Sequence, residues 1–66
     1  MKWIPMSEAL PDEYQFVLVS FYENEDYKAV NVAYRVEEQW YLRLGEVPIV
    51  LPLNAWMPLP EPYKGE

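Results

Sequence analysis

Alternation of apolar and polar positions divides the chain into short extended segments. Residues 14–22, Tyr-Gln-Phe-Val-Leu-Val-Ser-Phe-Tyr, are β-branched or aromatic almost throughout and give the strongest strand signal. Phe16, Leu18, Ser20 and Tyr22 fall on one side, and Val17, Val19 and Phe21 on the other. Both sides are apolar, which predicts a central strand with something covering each face. Residues 27–36 alternate more cleanly, Val30, Val32, Tyr34 and Val36 against Ala29, Asn31, Ala33 and Arg35. This pattern predicts a strand with one buried face and one small-or-polar face. Trp40, Leu42 and Leu44 then alternate with Gln39, Tyr41 and Arg43 in a further strand that Gly45 ends.

The connections are read from turn chemistry. Glu23-Asn24-Glu25-Asp26 is an acidic hairpin loop, whereas Glu37-Glu38 lacks the Gly or Asn of a tight primed turn and predicts a four-residue type I loop over 36–39. Near the N-terminus, Trp3-Ile4 suits a brief strand limited by Pro5. Ser7 is a candidate N-cap for one short helical or 3-10 turn near residues 7–10, stopped by Pro11, and Pro11-Asp12-Glu13 reads as a type I turn. In residues 46–53, Pro48 and Pro52 forbid a helix interior and discourage a central strand, so this apolar stretch is expected to run extended over one face of the sheet. Residues 54–57 form the last strand. From Pro58 onward, prolines at every second position can neither continue a central strand nor form a helix, and Pro58–Pro62 is read as a structural clamp rather than a ligand for a proline-reading groove. The expected fold is mainly β: a small antiparallel sheet of four to five strands, with the N- and C-terminal segments adjacent and Trp3 and Trp56 in one cluster.

Composition narrows this further. Sixty-six residues suit one small domain, 1–66, with 63–66 a frayed tail. Such a chain buries only about 60% of the surface exposed when unfolded. There is no Cys and no His, so neither a disulfide nor a zinc site can staple it, but three Trp, six Tyr and two Phe supply bulk. Trp3, Trp40 and Trp56 are therefore assigned as structural anchors in preference to a stacking platform for bases or sugars. Eleven acidic against five basic residues give a net charge of −6, which argues against direct contact with nucleic acid and suits a basic protein partner. Without a signal-peptide pattern or an apolar run near the ~20 residues of a membrane span, a cytoplasmic chain with no membrane contact is expected.

No stretch carries a catalytic signature. Ser7 and Ser20 are the only hydroxyls besides tyrosine, and no His is present to activate either. The acids Asp12, Glu13, Glu23, Glu25, Asp26, Glu37 and Glu38 all fall in expected turns, where carboxylates are solvated. Glu23-Asn24-Glu25-Asp26 also lacks the spacing and distant Glu of a calcium loop. No enzyme activity, cofactor or metal is expected.

Trp3-Ile4, Leu10-Pro11, the Val17-Leu18-Val19 strand, the mid-chain Trp40 and the closing Trp56-Met57-Pro58-Leu59-Pro60-Glu61-Pro62 together resemble a small family of uncharacterised phage and prophage proteins. Its members open with Trp-Ile and Leu-Pro and close with Trp-Met-Pro-Leu-Pro-x-Pro. The likeness runs from Trp3 to Pro62 and implies a phage or mobile-element origin. Many relatives carry Thr-His before the closing Trp, where this chain has Asn54-Ala55, so a function resting on that His does not carry over.

Together these features lead to the expectation of a non-enzymatic protein-interaction module, an accessory factor of a phage or prophage that binds a host or phage protein. Glu23, Glu25, Asp26, Glu37 and Glu38 are its candidate partner contacts, and a sheet edge is a candidate surface for homo-oligomers. The alternative is an acidic inhibitor that imitates nucleic acid and occupies the basic groove of a host defence protein.

Overall fold

A computed structural model of the chain describes residues 2–62 and Gly65; most of the tail expected to fray over 63–66 lies outside the described residues. Five strands form one antiparallel sheet: β1 (Ile4–Pro5), β2 (Val17–Asn24), β3 (Tyr27–Val36), β4 (Gln39–Leu42) and β5 (Ala55–Pro58). Their order across the sheet is β1-β5-β2-β3-β4, so β2 is central and the first and last strands are neighbours. Ile4 stands opposite Trp56 and Pro5 opposite Ala55. The mainly β architecture and the meeting of the two ends are as the sequence predicts.

The register defines two faces. Val19 pairs with Asn31 on one side and Trp56 on the other, and Val17 pairs with Ala33 and Pro58. Val17, Val19, Ala33 and Trp56 are buried together, and Ile4, Met6, Trp40, Ile49 and Leu53 pack against them. This core face is covered by two stretches of irregular chain. The connection after β4 first runs along the outer edge of β4, where the Leu42 N–H donates to the Val47 carbonyl at 2.8 Å and the Ile49 N–H to the Trp40 carbonyl at 2.9 Å. It then crosses the sheet to Asn54, whose N–H donates to the Ser20 carbonyl at 2.9 Å. Residues 6–11 make the second crossing, and the Trp56 indole N–H donates to the Ala9 carbonyl at 2.9 Å. Burial of the indole thus leaves no unmet donor.

One arginine fixes where the N-terminal crossing ends. Arg35 donates from Nε to the Pro11 carbonyl at 2.7 Å and from Nη1 to the Glu37 carbonyl at 2.8 Å, with the Glu13 carboxylate 4.0 Å from Nη1. Its planar fork joins the buried Pro11 to the β3–β4 turn, a geometry a lysine cannot reproduce.

Several expectations are corrected. The described residues contain no helix: residues 6–8 form an isolated turn closed by the Pro5 carbonyl, which accepts from the N–H groups of Glu8 and Ala9, and not by a Ser7 cap. The turn expected with Pro11 at its second position lies two residues later, with the Gln15 N–H donating to the Asp12 carbonyl and Tyr14 at φ 67°, the position that glycine fills in a type II turn. Tyr14 is therefore not part of β2, which starts at Val17. Glu37 and Glu38 form a two-residue turn closed by the Val36–Gln39 pair, with Glu37 taking the positive φ of 56° in place of the expected longer loop. β4 stops at Leu42, leaving Leu44 exposed. Pro58 ends β5 instead of following it, and is accommodated because β1 has already stopped at Ile4, so β5 has one partner strand there instead of two.

The two largest corrections concern the faces. β3 turns Ala33 into the core and Val30 outward, the reverse of what hydrophobicity alone suggests. The small side chain of Ala33 leaves room for the covering chain to approach the sheet, whereas Ala29 and Asn31 on the same side stay exposed. The second face of β2, carrying Phe16, Leu18, Ser20 and Tyr22, has no covering layer, because both crossings lie on the other side. Trp3, one residue before Ile4, is 42% exposed and is not part of the Trp56 cluster, where Ile4 and Met6 take its place.

Replacing Trp56 by Ala should therefore lower stability by about 3–5 kcal/mol through cavity formation. That is a large share of the roughly 3–10 kcal/mol expected for a chain of this length. Trp3→Ala should cost less than about 1.5 kcal/mol. Urea unfolding of both variants checks the difference, and equal losses would return Trp3 to the core.

Candidate interaction surface

The uncovered face is built by alternation on β2, β3, β4 and β5. Leu18 stands opposite Val32 and Met57, and Tyr34 opposite Tyr41. Met57 is buried, Leu18, Val32 and Tyr34 are half-buried, and Phe16, Val30 and Tyr22 are exposed. None of the strand residues that this alternation assigns to the face is a carboxylate. In a chain of net charge −6 that is a marked segregation: the one strand carboxylate, Glu23, falls on the opposite side by alternation, and the other acids among the described residues lie outside the strands.

Rings are the main feature of this face. Tyr34 lies between Tyr14 and Tyr41, stacked on the first at 6.2 Å between centroids and 18° between planes, and on the second at 5.6 Å and 23°. Phe16 meets Tyr34 edge-on at 5.6 Å, and the Arg43 guanidinium lies 5.3 Å above the Phe16 centroid. These separations fall within the range for favourable aromatic and cation–π contacts. Tyr14 reaches the row through its positive φ, a conformation that is a genuine outlier for a bulky residue. Its N–H is held by the Arg35 carbonyl at 3.0 Å, yet its side of the row is open, with the residue 68% exposed.

Two acids edge this face. Burial, and then the nearby Glu46 carboxylate, holds the Tyr34 phenol above its usual range, with Tyr41 and Tyr14 adding to the shift. At the other end of the face the Tyr22 hydroxyl donates to Glu25 at 2.7 Å and Lys28 donates to the same carboxylate at 2.9 Å. These two bonds, the tyrosine's first, lower the Glu25 carboxyl below its usual range, and the same bond raises the Tyr22 phenol.

The acids singled out by sequence are exposed, but they do not come together, and Glu23 belongs to β2 and not to the loop expected over 23–26. Glu23, Glu25 and Asp26 surround the β2–β3 turn, and Glu37 and Glu38 form the β3–β4 turn. The ten residues of β3 separate them, which at about 3.3 Å per residue is roughly 30 Å. Glu13 joins the second group by way of Arg35. Among the described residues no group of three or more carboxylates is placed to hold a metal ion. Trp40 packs against the core cluster, and Trp3 is 42% exposed. Tyr14, Phe16, Tyr34, Tyr41 and Arg43 were not singled out by sequence as a surface. The available signal was arithmetic, since eleven aromatic residues exceed what a core of so few buried positions holds. On the covered side, an apolar cleft of about 220 Å³ lies between the crossing connection and Val19, Phe21, Ala29 and Asn31. It is smaller than the usual ligand pocket of about 300–1,000 Å³.

The raised Tyr34 pKa has a stability consequence. Its contribution is complete below the unfolded phenol value of about 10 and is lost as pH rises through the higher folded value. The lowered Glu25 value acts in the opposite window: its contribution is present above the unfolded carboxyl value and is lost as pH falls through the folded one. In an absorbance titration of tyrosinate, Tyr34→Phe should remove a late-titrating phenol, and Glu46→Gln should bring that phenol to lower pH. Loss of an ordinary phenol in Tyr34→Phe would contradict this environment for Tyr34.

No curated protein and no solved structure matches the chain. One family model does, over residues 2–64, under the description "Protein of unknown function (DUF551)". That match spans nearly all of the sequence whose two ends meet in the β1–β5 pair, and the chain belongs to this family of unknown function.

Proposed function

We propose that the chain is a non-enzymatic protein-interaction module whose contact surface is the uncovered aromatic face of the sheet. The observation that carries this is a row of tyrosines on a face without a covering layer, completed by Tyr14 in a costly backbone conformation. Strain of this kind persists only where the surroundings enforce it, and it concentrates at functional sites. Tyrosine and arginine are also the residues enriched where protein interfaces gain most of their affinity. The sheet edges are less suited to recruiting another strand: β1 has two residues, one of them proline, and β4 already bonds to residues 47–49. The resemblance of both chain ends to phage and prophage proteins supports an accessory role in the cytoplasm of a host cell, with a host or phage protein as partner. An acidic inhibitor imitating nucleic acid is the second reading. It rests on the net charge alone, and the separation of the turn acids into two end groups favours the aromatic face over it.

Affinity capture from a bacterial host lysate tests both readings. A protein retained by the wild-type chain should be lost from Val30→Glu, a change on the exposed face, and kept by the triple variant Glu23→Gln, Glu25→Gln, Asp26→Asn, with circular dichroism confirming that each variant is folded. Retention by Val30→Glu together with loss by the triple variant would replace the proposal with the acidic one.

A further inference from the structure

The chain is less compact than its size allows. It exposes 5303 Å², whereas a compact monomer of its 7.9 kDa exposes about 4,400 Å². Its radius of gyration is 12.4 Å, where a compact chain of this length has about 10.8 Å. The excess area is roughly 900 Å², close to the burial of about 800 Å² per partner in a stable interface of standard size. The uncovered face contributes to that excess. Among the described residues the buried apolar set is Val17, Val19, Ala33, Trp56 and Met57, and of these Met57 alone belongs to the open side.

We propose that the uncovered faces of two copies of the chain pack together, each supplying the layer that the other lacks, as a homodimer with its sheets about 10 Å apart. This rests on the reading of that face as the contact surface and names the partner. Domains of this size are commonly stapled by disulfides, a metal or association, and the chain has neither a cysteine for the first nor a histidine for a zinc site. Association is the staple this favours. A cover that the fold itself needs has to be present whenever the chain is, and a second copy meets that condition where a foreign protein does not. The placement of charge permits it: the strand positions of the face hold no carboxylate, so two chains of net −6 meet by the surfaces where that charge is absent. Of the two cations on this side, Lys28 is paired with Glu25 at 2.9 Å and Arg43 lies over Phe16. A two-fold axis along the strands sets β4 of one copy over the β1–β5 side of the other. At ~4.8 Å per strand the two Arg43 groups then stand about 19 Å apart, beyond the screening length of about 8 Å. The same axis passes near Leu18, the centre of the Met57–Leu18–Val32 row, and lays Met57 on Val32 of the partner subunit.

Sedimentation equilibrium of the full chain at about 0.1 mM should give twice the 7.9 kDa chain mass, with a dissociation constant of about 1 µM or tighter. The wild-type melting temperature should rise with chain concentration, a result that needs no variant to fold. Raising salt from about 0.05 M to about 0.5 M should tighten the dimer severalfold by screening the two net charges. In a mixture of labelled and unlabelled copies, magnetisation transfer between copies should join Met57 to Val32, which within one chain stand about 10 Å apart across Leu18. Val30→Glu should weaken association about hundredfold, and Val50→Glu, in the connection that covers the other side, should leave it unchanged. A chain that sediments at its monomer mass, with a melting temperature independent of concentration, would overturn the dimer. The contact surface survives that result if Val30→Glu still loses a protein captured from lysate, and falls with the dimer if capture is unaffected. Salt that loosens the dimer would overturn face-to-face packing, and transfer between copies confined to residues 47–53 would remove the face as the contact surface as well.

Discussion

The burial of Trp56 is the constraint on which the rest of the structure depends. Its side chain fills the layer above Val17, Val19 and Ala33, its position on β5 sets Ile4 opposite it, and its indole N–H holds the Ala9 carbonyl of the N-terminal crossing. Sheet, chain ends and covering layer therefore share one residue. A single sheet needs a second layer to bury one face, and this chain makes that layer from irregular backbone. The cost of ordering it is offset by bonds to the sheet at its margins, such as Met6 N–H to the Asn54 carbonyl and Asn54 N–H to the Ser20 carbonyl. Proline at positions 5, 11, 48 and 52 lowers the same cost, because it restricts the unfolded chain at points where no ladder is interrupted.

Much of the sheet was legible in the sequence because a period of two is a local property. β2 as the central strand, the extended crossing by residues 48–53 and the meeting of the ends all followed from alternation and proline placement. The orientation of β3 was not legible, because hydrophobicity gives the preference for burial but not the space available. Ala33 is buried since a crossing chain fits above a small side chain, and Val30 is exposed since it lies on the side that no crossing covers. Turn chemistry misled in the same way: Pro11 is a good turn former, yet Arg35 holds its carbonyl and buries it, and the turn moves on to put Tyr14 where a glycine would be easier. Of the acids expected in turns, Glu37 and Glu38 lie in one, whereas Glu23 is the penultimate residue of β2. The aromatic face was hidden, because apolar residues on both sides of β2 read as two cores when the chain has material to cover one.

Local rules are broken mainly at one end of that face. Tyr14 and Glu46 both have positive φ, and both act on Tyr34. A sequence selected for stability alone would place Gly or Asn at such positions and polar side chains on an open face. The departure of both features from this rule, around one ring, supports the proposal that the face is a contact surface.

The order of the strands also has a kinetic consequence. β5 is the last strand to be synthesised, yet it lies between β1 and β2. As the chain emerges, the β2–β3–β4 meander can pair from neighbouring residues, but β1 has no neighbour until residues 55–58 arrive, and the Trp56 layer is missing until then. Folding must therefore close through contacts between the most distant parts of the chain, the kind that slow it most. Until that closure, both sides of the meander stand open to solvent, which makes the interval before β5 inserts the period of greatest exposure to aggregation and proteolysis.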